Sequence, residues 1–142
     1  MATSNAATNY LERRLLHFLF KNNSLSFSSP GDSIYVGLCT AVSAAETGSV
    51  TEASFSGYAR QQVAAASWTT IGADSTDTQT AKNTSAIEFP AKADSGNVTI
   101  THVIIADASS SGNILFVGAL DASKTLAQND IFRINATNLS IE

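Results

Sequence analysis

The sequence predicts a mainly β fold: an antiparallel β-sandwich, jelly-roll or immunoglobulin-like, with one amphipathic α-helix at its N-terminal end. Three observations predict it. Residues 101–107 and 114–120 are two runs of β-branched and aromatic residues on either side of a small polar loop, Ala108 to Asn113, which is a hairpin pattern. Short apolar or alternating runs bounded by Gly, Pro, Asn, Asp and Ser recur through the rest of the chain, which suggests about seven to nine short strands. Only one stretch has helical periodicity, and no alternating strand–helix pattern or Gly-rich phosphate loop accompanies it.

Residues 1–8 are small and polar and read as a loose N-terminal arm, followed by a single sandwich domain over 9–142. The helix is expected over 9–21. Leu11, Leu15, Phe18 and Leu19 fall at i, i+4, i+7 and i+8 on one face, and Leu16 and Phe20 widen the stripe. Glu12, Arg13, Arg14, His17 and Lys21 take the other side. Asn9 is a candidate N-cap, with Glu12 placed to return the bond. So short a helix does not persist alone, so it must lie on the sheet or on a neighbouring subunit. Residues 28–32 read as a turn and 33–40 as a strand. The polar stretch 43–54 reads as a long exposed loop. Residues 56–64 are strand-like, with Tyr58, Arg60 and Gln62 on one face. A second polar loop is expected over 72–84. Residues 86–90 alternate, and Pro90 places that strand at an edge or end. Asp94 to Asn97 form a turn, and strand patterns over 130–134 and 139–141 close the chain. The hairpin runs are apolar at nearly every position, so both of their faces should be covered, with the helix as one cover.

At 142 residues one domain is expected, and a chain of this length buries roughly two-thirds of its unfolded surface. Charged residues make up 14%, well under the usual ~25%, with Ser, Thr, Ala and Asn in their place. Such a surface suits packing against protein. The net charge of −4 argues against a nucleic-acid partner. No apolar run approaches a membrane span, and no positive region leads into an apolar stretch as in a secretory signal. The single cysteine, Cys39, is expected as a buried structural thiol.

Each residue that could carry chemistry reads more simply as part of the scaffold. His17 and His102 have no ligands at metal spacing, so no metal and no cofactor is expected. No Gly-x-Ser-x-Gly elbow accompanies His102, which reads as a scaffold residue at the head of the hairpin. Asp74 and Asp77 lack a calcium-loop pattern. Arg60 sits in a half-buried stretch and needs a carboxylate or several carbonyls, from its own chain or from a neighbour. The residues expected at an interface are Tyr10, Leu11, Arg14, Phe18, Tyr58 and Arg60.

Gly57-Tyr58-Ala59-Arg60 and the run Gly112 to Leu120 carry a resemblance, supported by residues 9–16, 34–38, 83–90 and 101–103. From about Asn9 to Ile141 the chain resembles a widespread family of small tailed-bacteriophage virion structural proteins, commonly labelled tail fiber proteins. Some phage proteins of this build are similar to capsid cement or decoration proteins. The resemblance implies a non-enzymatic virion protein. The first expectation is a capsid cement or decoration subunit, homo-oligomeric, that clamps the major capsid protein or other virion proteins of an assembled shell. The alternative is a tail fibre or baseplate component involved in host attachment; a glycan-binding or hydrolytic domain on the same sandwich is a third reading. A receptor binder should show Trp68 or tyrosines at loop tips, whereas a decoration protein should bury Trp68.

Overall fold

A computed structural model describes residues 6–21, 34–69 and 80–141. The expected turn at 28–32, Asp74 and Asp77 lie outside the described residues.

The hairpin is the spine of the fold. β7 (Val98–Ala106) and β8 (Ile114–Leu126) pair antiparallel, and β7 also pairs with β2 (Tyr35–Ala44). The β2 edge then takes β3 (Ser49–Glu52) along its second half and the short β4 (Gln61–Gln62) along its first. On the other side of the sheet, β1 (Ala6–Ala7) pairs with Phe116 and Val117 of β8. The order is therefore β1-β8-β7-β2-β3, all antiparallel. Two small ribbons complete the strands: β5 (Ala81–Lys82) with β10 (Ser140–Ile141), and β6 (Ile87–Glu88) with β9 (Arg133–Ile134).

The ribbons form the second layer. Val36, Leu38, Ile100, Val103 and Leu126 from the sheet share one core with Ile87, Phe89, Phe132, Ile134 and Leu139. This is the sandwich-like, mainly β arrangement expected from the strand pattern. A smaller cluster of Cys39, Ala45, Ile104 and Val117 sits on the opposite face of the sheet. Val103 to Ala106 are consequently buried at every position, because the pleat sends alternate side chains into two covered faces.

Four details differ from expectation. The chain over 43–54 is a hairpin: β2 runs to Ala44, a tight turn follows, and β3 returns. Its residues are polar because they alternate between half-buried and exposed positions. Residues 56–60 are irregular, leaving only β4 as strand. Residues 6–8 are held: β1 joins the sheet and Thr8 is buried. Backbone hydrogen bonding needs no large side chain, which is why a small polar segment gave no signal. Finally, α1 (Asn9–Lys21) covers neither face of the hairpin, since no residue in it is buried.

Candidate functional site

Three features stand out from the scaffold, and the first is α1. Thr8, not Asn9, is its cap. The Thr8 hydroxyl accepts from Leu11 N at 3.5 Å and donates to the Ile114 carbonyl at 2.6 Å. Thr8 N donates to Leu115 O at 2.9 Å and Asn9 N to Glu46 O at 2.6 Å. The helix start is thereby tied to β8 and to the β2–β3 turn. Beyond it, Leu15, Leu16, Phe18, Leu19 and Phe20 are exposed, Leu19 by 59% and Phe20 by 75%. Tyr10 and Leu11 are half-buried, and the Arg14 guanidinium lies 5.1 Å from the centre of the Tyr10 ring. An apolar face this wide and uncovered is a candidate interaction surface. The helical pattern located it. Of the residues expected at an interface, Tyr10, Leu11, Arg14 and Phe18 lie here; Leu15, Leu16, Leu19 and Phe20 belong beside them.

The second feature gathers Glu52, Tyr58 and Arg60. β3 and β4 leave a gap along β2, and Tyr58 fills it: its hydroxyl accepts from Leu38 N at 2.9 Å and donates to Glu52 Oε1 at 2.6 Å. Arg60 forks onto Glu52, with Nε–Oε1 and Nη2–Oε2 both 2.8 Å. Its Nη1 donates to the Ala108 and Ser111 carbonyls, each at 2.8 Å, and so clamps the β7–β8 loop. The Arg60 side chain is only 5% exposed. Burial pushes the Glu52 carboxyl up, but the hydrogen bonds from Arg60 and Tyr58 outweigh it and hold the group below its ordinary range. Burial and the Glu52 bond raise the Tyr58 hydroxyl, which stays protonated as the donor role requires. Arg60 thus has the carboxylate and carbonyls its position demanded, from its own chain. Tyr58 and Arg60, also expected at an interface, make these bonds inside the fold.

The third feature is a groove of about 800 Å³ where the two layers part between β8 and residues 131–141. Phe116, Leu120, Ile131, Phe132, Leu139 and Ile141 are among its lining residues. A bulge lies beside it: Thr101 alone faces residues 120–123 of β8, between the pairs Ile100↔Lys124 and His102↔Ala119. The position of the groove depends on how the C-terminal segment folds back, and no local pattern announced it.

His102 and Cys39 take structural places. His102 is half-buried, its Nδ1 lies 2.8 Å from the Thr101 hydroxyl, and burial lowers its pKa. Cys39 is buried, and that burial pushes its thiol up to about 12. Trp68 is half-buried against the main core. Among the described residues, no three His, Cys, Asp or Glu side chains are grouped for a metal ion, and no helix is long and apolar enough to cross a membrane.

The architecture defines a class, a mainly β domain that presents an uncovered helix from a curled antiparallel sheet. Residues 6–142 match the profile of the family described as podophage GP4 fiber I protein gp80, and the chain belongs to that family. It is a phage virion structural protein of a family labelled as fiber. No curated protein matches the chain.

Proposed function

We propose that the chain is a non-enzymatic, fibre-associated structural subunit of the virion, and that it joins other virion proteins through the exposed face of α1. The observation that carries this reading is the helix itself. Three hydrogen bonds tie its first turn to β8 and the β2–β3 turn, while five large apolar side chains stand in solvent. Five such residues on one short helix are costly to leave wet, and docking them stabilises an assembly by mass action. The fiber description of the family supports placing the subunit at the tail.

A capsid decoration role is the second reading, and two observations favour it. Trp68 packs on the core rather than at a loop tip. Exposed hydroxyls pair across strands at Ser43–Ser49 (2.8 Å) and Thr99–Thr125 (2.9 Å), polar groups of the kind that repeated protein contacts use.

Quantitative mass spectrometry of purified particles separates the two. A copy number of a handful to a few dozen is expected for the fibre site. Hundreds of copies per particle would transfer the subunit to the capsid, and absence from particles would remove the virion role.

A further inference from the structure

The outer edge of β8 borders the groove, and β1 is the strand that lies on it. Ala6 pairs with Val117 and Ala7 with Phe116, antiparallel, and Thr8 N bonds to Leu115 O at 2.9 Å. One step back along β1 is therefore one step forward along β8. Among the described residues no strand follows β1 along this edge. We propose that Thr3-Ser4-Asn5, the residues that precede β1, continue it along β8, facing Leu120, Ala119 and Gly118 in that order. There they guard the sheet edge and wall the groove on its β8 side.

Register, space and polarity all fit these three residues. Leu115 takes its bond from the β1 side, so alternation turns the backbone groups of Val117 and Ala119 the same way and those of Phe116 and Gly118 toward β7. Ser4 then faces Ala119 as a pair that exchanges both backbone bonds, and Asn5 faces Gly118 as a narrow pair. The strand is not crowded at Gly118: a Cβ there would find Val103 Cγ2 as its nearest listed neighbour in space, at 3.8 Å. Side chains alternate about a strand. Ala6 packs on the outer cluster with Cys39, Ile104 and Val117, so Ser4 falls on that face, and Thr3 and Asn5 fall on the groove face with Phe116, Gly118 and Leu120. Asn135, Asn138 and Ser140 line that groove beside Ile131, a mixed surface that suits a small hydroxyl and an amide. Lys124 and Arg133 lie there with Asp121, and Thr3-Ser4-Asn5 has no charged side chain for them to repel. The run also has a natural stop, because β8 bulges at 120–123 and regular pairing ends there.

The chain's own segment is favoured over a strand from a second copy. Ala6 and Ala7 are in place, and Thr8 and Asn9 are tied to Ile114, Leu115 and Glu46. Three further residues extend a formed strand and close no new loop. A strand from another chain must displace a segment tethered at the site, whose effective concentration is far higher. An uncovered sheet edge is a template for pairing with other chains, and natural sheets avoid this by covering it. The inference is independent of what α1 docks on.

Amide hydrogen exchange on the full chain, beside a variant lacking residues 2–5, tests the pairing. In the parent the Ala119 amide is expected to be protected. In the shortened chain it should exchange at least tenfold faster, while the Gly118 amide, turned toward β7, is unchanged. Equal protection of Ala119 in the two overturns the proposal. A second variant decides even if the shortened chain does not fold. Asn5→Cys/Gly118→Cys under mild oxidation should close a disulfide within one chain, and the out-of-register pair Asn5→Cys/Ala122→Cys should not. The buried Cys39 does not compete. A folded Asn5→Cys/Gly118→Cys chain that closes no disulfide overturns the proposal, as does equal closure of the out-of-register pair. A disulfide between chains overturns it in favour of strand exchange between copies. Light scattering reads the guarding role: the shortened chain should gain mass with concentration where the parent does not. The same mass for both at every concentration overturns that role.

Discussion

Arg60 shows how one side chain can organise a surface. It holds Glu52 on β3 and two carbonyls of the β7–β8 loop, and it does so from an irregular segment with few backbone bonds of its own. Arg60→Ala leaves Glu52 half-buried without its counter-charge and the loop carbonyls without a donor. Breaking a buried pair costs 3–5 kcal/mol, and partial exposure of Glu52 brings the expected loss to about 2–3 kcal/mol. A shift below about 0.5 kcal/mol in urea denaturation would contradict this. The carboxylate also gives a pH signature. The folded-state pKa of Glu52 is depressed, so its stabilisation is present above the unfolded value near 4.5 and is lost as pH falls through the folded value. The parent should therefore lose stability in that acid window more steeply than Glu52→Gln does. Gly37 is bound to the same cluster by space: a Cβ there would lie 2.9 Å from both Ile104 Cγ1 and the Tyr58 hydroxyl oxygen. Gly37→Ala should cost about 1–3 kcal/mol by overpacking. The need of Arg60 for a carboxylate was legible from its type and setting. Its partner was not, because Glu52 lies in a stretch whose polarity read as loop.

At the scale of elements, local pattern was most informative where periodicity was strong. The helix spans 9–21 as its apolar spacing predicts, and the hairpin runs are the two central strands, each longer than its apolar part. Ends and caps were less visible. Thr8 caps α1 and also bonds to Ile114, a role that depends on β1 being paired with β8. Thr8→Val keeps the shape and removes the hydroxyl, so a loss of about 1 kcal/mol is expected, together with a weaker helical signal in far-UV circular dichroism. An unchanged spectrum and midpoint would show that the backbone bonds of residues 8 and 9 alone hold the helix. The cover over the outer face of β7 was expected from α1 and comes instead from a small apolar cluster alongside Cys39 and Ile104. The apolar stripe fixed which side of the helix is sticky and could not say against what.

For the molecule as a whole, the core between the sheet and the two ribbons joins residues from nearly every strand region. Phe89 sits at its centre, 1% exposed, with its ring stacked 6.3 Å from Tyr58 and edge-on at 5.9 Å to Phe132. Phe89→Ala should cost about 3–5 kcal/mol and shift the unfolding of sheet and ribbons together. Separate transitions for the two would mean that the layers fold independently. The parting of these layers beside β8 creates the groove. Copy number per particle is the whole-molecule measurement that places this architecture in a virion.

By itself the sequence determined the periodicities: one helix with a wide apolar face, a central hairpin covered on both sides, a series of short strands, and a half-buried arginine in need of a carboxylate. These are properties of neighbouring residues, and spacing along the chain records them. The tertiary structure alone decided that Glu52 meets Arg60, that Thr8 is pinned to β8, that the layers part along 131–141, and that the other described residues leave α1 uncovered. Each of those is a meeting, or a failure to meet, between segments distant in sequence. Packing and hydrogen bonding across the fold set such meetings, and no local pattern encodes them.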